Sequence, residues 1–221
     1  AWVPSLRGCF LYRRHFIRSV LWAAALGVSA TGHAADAPKV LVVGDSLSAE
    51  YGLARGTGWV ALLAQKLQAD KLAAQAVNAS ISGDTTAGGR ARLPALLKAH
   101  QPAVVVIELG SNDALRGLSL AMTEANLSAM TQAAQKAGAK VLLVGMQMPP
   151  NYGAAYGKQF SDLFAKVARA DNAALVPFML KGVADRADAL KLFQADRIHP
   201  TAEAHPTILA NIWPALRKLL P

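Results

Sequence analysis

Five short apolar runs punctuate the chain, at residues 40–43, 76–81, 104–109, 141–144 and 174–176, and a longer stretch separates each from the next. Val40-Leu41-Val42-Val43 and Val104-Val105-Val106-Ile107-Glu108-Leu109 carry the clearest signal. Their apolar residues are consecutive rather than alternating, the pattern of a strand covered on both faces. In the intervening stretches Trp59, Leu62, Leu63 and Leu67 recur at a helical interval, as do Leu93, Leu96 and Leu97 in the segment Arg90 to His100, which stops before Pro102. Residues 120–137 read as a helix ended by Gly138. Phe160, Leu163, Phe164 and Val167 mark another, and residues 202–219 a last one kinked at Pro214. Parallel strands need long crossovers, and helices supply them. The expected fold is therefore α/β, a three-layer sandwich with a central parallel five-stranded sheet and helices on both faces.

Sheets of this kind bind ligands beyond the carboxyl ends of their strands. Gly44-Asp45-Ser46 follows the first run, Gly83 the second and Gly110-Ser111-Asn112-Asp113 the third, so all three loops are expected on one edge. A hydroxyl is a weak nucleophile until a base takes its proton, and the developing oxyanion needs donors. Ser46 is the candidate nucleophile. Three histidines follow residue 34, and of these His199 has a carboxylate three positions before it, Asp196, which can meet it in a turn. Asp196 would fix the imidazole tautomer while the other ring nitrogen accepts the proton of Ser46. Asn112 and the backbone amides of Ser46 and Gly83 are the candidate oxyanion donors. His100 is read as a helix-terminal residue and His205 as a surface residue, and Asp45, Asp84 and Asp113 are assigned to loop architecture. One histidine with one aspartate falls short of a zinc ligand set, so no metal is expected.

Composition limits the alternatives. The chain has 221 residues and a formal charge of +9, but Arg7, Arg13, Arg14 and Arg18 precede residue 35 with no acidic residue among them. The remaining surplus is scattered, unlike the clustered basic face that nucleic acid requires. Those arginines are followed by the apolar run 20–30 and by Gly32-His33-Ala34, the three-part layout of a secretory signal. Residues 1–34 are thus expected to be a cleaved signal peptide and 35–221 a single hydrolase domain, periplasmic or secreted by the Sec or the twin-arginine route. No stable membrane span is expected once the signal is gone. The single cysteine, Cys9, lies in the removed part, which leaves no disulfide and no thiolate nucleophile.

Gly44-Asp45-Ser46-Leu47-Ser48, Gly83 within residues 81–85, Gly110-Ser111-Asn112-Asp113 and Asp196-Arg197-Ile198-His199 together resemble the four blocks of the GDSL/SGNH hydrolase family, in order. The likeness spans residues 38–220. It is closest to the bacterial periplasmic arylesterases, acyl-CoA thioesterases and lysophospholipases, through residues 78–85, 91–97, 150–153 and 198–200. The resemblance implies a flavodoxin-like sheet, Ser46 as nucleophile, His199 as base, Asp196 as its orienting group, an oxyanion hole of Ser46, Gly83 and Asn112, and no cofactor. It implies a small-molecule ester, thioester or lysophospholipid as substrate; the expected acting form is a monomer. A carbohydrate O-acetylesterase and a binding protein with an inert site are the alternatives. Leu115, Met148 and Tyr152, in segments after the third and fourth strands, are candidate walls for an acyl chain. Two positions depart from the family pattern. Glu50 stands where relatives carry glycine and is expected to add negative charge near the nucleophile, and Ser111 replaces a further glycine.

Overall fold

The apolar runs pair side by side as a parallel sheet in the computed structural model, which describes residues 37–220. The strands are β1 (Lys39–Gly44), β2 (Gln75–Asn78), β3 (Val104–Glu108), β4 (Lys140–Val144) and β5 (Ala174–Val176), in the order β2-β1-β3-β4-β5. This is the flavodoxin-like order. In register, Val42 lies opposite Asn78 on one side and Val106 on the other. Val104, Val105, Val106 and Ile107 are wholly buried. Each such side chain contributes about 1.5–3 kcal/mol on burial, so a run of four holds β3 at the centre of the sheet.

The helices are α1 (Trp59–Ala69), α2 (Thr86–His100), a short α3 (Ser111–Leu115), α4 (Leu120–Lys136), α5 (Ala154–Ala170) and α6 (His205–Arg217). The crossover from β1 to β2 runs one way along the sheet and the later crossovers run the other. Right-handed connections therefore put α1 on one face and α2, α4 and α5 on the opposite one. α1 packs on α6, and α2, α4 and α5 lie side by side. Trp59, Leu63 and Leu67 bury the inner face of α1, while Phe160 and Phe164 of α5 meet edge to face with centroids 5.3 Å apart.

Three boundaries differ from the sequence expectation. β2 ends at Asn78 rather than running to Ile81, because the Asn78 side chain donates to the Ser48 carbonyl and accepts from the Ser80 amide, turning the chain. α2 begins at Thr86, four residues before Arg90. The Thr85 hydroxyl accepts from Gly88 N, and the Asp113 carboxylate accepts from Thr86 N, so two orphan amides of the first turn are satisfied. The stretch read as a loop after β3 opens with α3, so Asn112 stands in a helical turn. Among the described residues no helix is long and apolar enough to cross a membrane. The expected signal peptide lies outside the described residues.

Candidate active site

β1 delivers the chain into the site through a glycine with no spare room. A Cβ on Gly44 would stand 2.8 Å from the Glu108 carboxylate and 2.8 Å from the Ser48 hydroxyl, both backing the loop. The next residues fold into a tight turn: Ala49 N donates to Asp45 O at 2.9 Å, and Leu47 N to Asp45 Oδ1 at 3.0 Å. Asp45, Leu47 and Ser48 are buried by this turn, and Ser46 between them is half-buried. The Tyr51 ring lies against the His199 ring with centroids 4.3 Å apart.

The last loop is closed by a bridge between Phe193 and Pro200 and by Gln194 N donating to His199 O at 2.8 Å. Asp196 organises its tip. One carboxylate oxygen accepts from Ile198 N at 2.9 Å and His199 N at 3.0 Å, an Asx turn that also needs Arg197 at φ 58. The other oxygen accepts from His199 Nδ1 at 2.6 Å, and His199 Nε2 lies 2.8 Å from Ser46 Oγ. With Nδ1 bearing the proton that Asp196 accepts, Nε2 is the free lone pair facing the hydroxyl. Hydrogen bonds from the His199 and Ile198 amides hold the Asp196 carboxyl down to about 2, so it is ionised throughout the working range.

The expected donors converge from other strand ends. Asn112 Nδ2 donates one hydrogen to Asp45 Oδ2 at 3.0 Å, leaving its second available. Gly83 adopts φ 78, a left-handed conformation suited to glycine, and its carbonyl accepts from Arg116 Nη2 at 2.8 Å. Among the described residues no acceptor meets the amide of Ser46 or Gly83. Asp84 and Asp113 are architectural as expected. Asp84 pairs with Arg92 at 2.8 Å, and Asp113 accepts from Thr86 and Thr123. Asp45 exceeds its loop role, because it fixes the Asn112 amide.

Beneath the Ser46 turn lies a group to which the sequence reading gives no part. Glu108, at the end of β3, is 1% exposed, and its Oε2 accepts from Ser48 Oγ at 2.7 Å, while Ser48 Oγ accepts from Trp59 Nε1 at 3.0 Å. Burial pushes its carboxyl well above the ordinary value, and Asp45 nearby pushes it further. Asp45 is itself raised to about 6, chiefly by burial. The available signal was a carboxylate inside an otherwise apolar run, which requires a partner.

Two expectations are corrected. His205 is 2% exposed rather than a surface residue, because its Nδ1 accepts from Trp59 N and so caps the start of α1. Glu50 is a loop clasp rather than a free charge: it adopts φ 59, and its carboxylate accepts from Gly56 N at 3.0 Å and Gly58 N at 2.8 Å. Leu115 closes α3, Met148 is half-buried against the core and Tyr152 is 38% exposed. The polar and ring contacts of Ser46 and His199 involve none of the three. Cavities of about 570 Å³ between α4 and α5, and about 240 Å³ beside Val60 and Ala76, lie elsewhere.

The sequence pattern of the GDSL-like Lipase/Acylhydrolase family matches residues 42–206, from within β1 to the start of α6. The chain belongs to this family. Within it, Esterase TesA of Pseudomonas aeruginosa is 50% identical over 204 residues, covering 92% of this chain and all of that protein. Thioesterase 1/protease 1/lysophospholipase L1 of Escherichia coli K12 is 43% identical over 178 residues, covering 80% of this chain and 83% of that one. A crystal structure of TesA superposes with a TM-score of 0.79 at 53% identity, covering 82% of this chain and 99% of that one. The family match thus spans Ser46, Gly83, Asn112, Asp196 and His199 together.

Proposed function

We propose that this chain hydrolyses carboxylic esters and thioesters of small acyl substrates, lysophospholipids included, through an acyl-enzyme on Ser46. The observation that carries this reading is the continuous line from Asp196 through His199 to the Ser46 hydroxyl, with gaps of 2.6 and 2.8 Å. In this mechanism Ser46 Oγ attacks the acyl carbon as its proton passes to His199 Nε2. The resulting imidazolium is stabilised by the Asp196 carboxylate. The oxyanion takes hydrogen bonds from the Ser46 and Gly83 amides and from the second Asn112 Nδ2 hydrogen. Collapse of the adduct expels the alcohol or thiol, which leaves with the proton from Nε2. Water then gives a proton to Nε2 and attacks the acyl carbon, and a second collapse returns the hydroxyl to Ser46 with release of the acid. The esterase and thioesterase names of the relatives support this substrate class.

Ser46→Ala is the deciding experiment. Hydrolysis of p-nitrophenyl butyrate is expected to fall by about a million-fold, with the thermal midpoint unchanged. Retained turnover would remove Ser46 from the reaction. A panel of p-nitrophenyl esters of increasing acyl length, beside an acyl-CoA and a lysophospholipid, ranks the substrates. The protein acts in the periplasm or outside the cell as a monomer after removal of residues 1–34. An intact mass beginning at Ala35 is the expected result for the exported protein.

A further inference from the structure

Gln194 ties the beginning of the domain to its end. Its side-chain amide has two N–H hydrogens, and each has an acceptor: the Tyr51 carbonyl at 2.9 Å and the Pro200 carbonyl at 3.0 Å. Tyr51 lies on the loop that carries Ser46, and Pro200 is the neighbour of His199. The main chain of Gln194 closes the same loop, donating to His199 O at 2.8 Å and accepting from Arg197 N at 2.9 Å. The site is built to admit this side chain. A Cβ on Gly52 would stand 2.1 Å from its Oε1, and Gly52 adopts φ 69.

Between residues 46–52 and 194–200 the described hydrogen bonds are two, Gln194 to Tyr51 and His199 to Ser46. The second does not survive the reaction. Once Ser46 Oγ is esterified it has no hydrogen to give, and His199 Nε2 must turn to water. At that stage the Gln194 bond is the remaining one across the two loops, and it also fixes the main chain of Tyr51, whose ring lies 4.3 Å from that of His199. We propose that Gln194 is a positioning residue that holds the His199 loop over acylated Ser46, so that its loss slows deacylation more than acylation. The inference rests on Ser46 as the acylated residue.

The test is pre-steady-state hydrolysis of p-nitrophenyl butyrate by Gln194→Met, which keeps length and removes both donors. Misplacement of a reacting group by about 1 Å costs about a hundredfold, so a deacylation rate lower by roughly ten- to a hundredfold is expected. Nitrophenolate should then appear as a burst of one equivalent. kcat and KM should fall together, leaving kcat/KM close to the parent value, because kcat/KM reports only steps up to acylation. A variant that lost thermal stability alone, or in which kcat/KM fell as far as kcat, would overturn the proposal. Gln194→Asn retains the amide on a shorter arm and is read by the same criterion if Gln194→Met does not fold. Ser46→Ala, run in parallel, separates the two claims. Turnover there would refute the acyl-enzyme itself, whereas an inactive Ser46→Ala beside a Gln194→Met variant that deacylates at the parent rate would refute the clamp alone.

Discussion

Carboxylates approach the Ser46 loop from two directions, and their surroundings give them opposite characters. Asp196 sits on the rim with two backbone amides aimed at it, and those donors hold it ionised down to about pH 2. Asp45 and Glu108 lie beneath the turn, each 1% exposed, and burial pushes both toward the protonated form. The same functional group is thus a fixed negative charge on one side of the hydroxyl and, beneath it, one whose charged form burial disfavours, most strongly at Glu108. Donors that favour the charged form and desolvation that disfavours it account for the difference. A negative charge belongs beside an imidazole that becomes cationic.

The comparison breaks most visibly at the rim. Asp196→Asn is expected to lower kcat about ten-thousand-fold, because an amide at this place can donate to His199 Nδ1 and stabilise the wrong tautomer. Steady-state kinetics beside fluorophosphonate labelling of Ser46 would measure this. If Asp45→Asn proved the more damaging, the assignment of charge to the rim would be reversed. A smaller effect is expected at the junction of the two regions. Asn112→Ala removes one of the proposed oxyanion donors and should lower kcat by about a hundred- to a thousandfold, with little change in KM.

The smallest effect on rate, and the sharpest on stability, belongs beneath the turn. A carboxyl raised in the folded state holds its proton where the unfolded chain has lost it. Stability from Asp45 and Glu108 is therefore greatest on the acid side and declines as pH rises through about 6 for Asp45. The contribution of Asp196 has the opposite sign, present above its ordinary value of 3.8 and lost as pH falls toward about 2. Through Asp45 and Glu108, the stability of the parent protein in urea is expected to decline as pH rises from about 4 to beyond about 6. Glu108→Gln, which keeps an acceptor for Ser48, should flatten that decline. An unchanged slope would show that Glu108 is ionised in the folded state.

The strands and their parallel pairing were legible because each is a local apolar run, and a local pattern survives without knowledge of its neighbours. So was the reach of Asp196 to His199, since three residues in a turn confine both groups. The start of α2 was hidden by Gly88 and Gly89, which argue locally for a loop. The helix forms there because Asp113, on another element, satisfies an amide of its first turn. His205 looks like a surface residue in the sequence for a similar reason, its partner being the amide of Trp59 on another element. Glu50 in a left-handed turn looks like added charge in the sequence because its acceptor role depends on amides of a loop that folds back onto it.

By itself, the sequence determined an α/β sheet with a hydroxyl, an amide, a carboxylate and an imidazole at loop positions. Hydrophobic periodicity and residue chemistry are properties of neighbours along the chain. Tertiary structure alone decided the 2.8 Å between Ser46 and His199, the clasp of Gln194 on Tyr51, and which carboxyls burial pushes toward the protonated form. Bond distances and proton affinities depend on which groups surround an atom in space and how much water they exclude, and those groups come from strands and loops far apart in the chain.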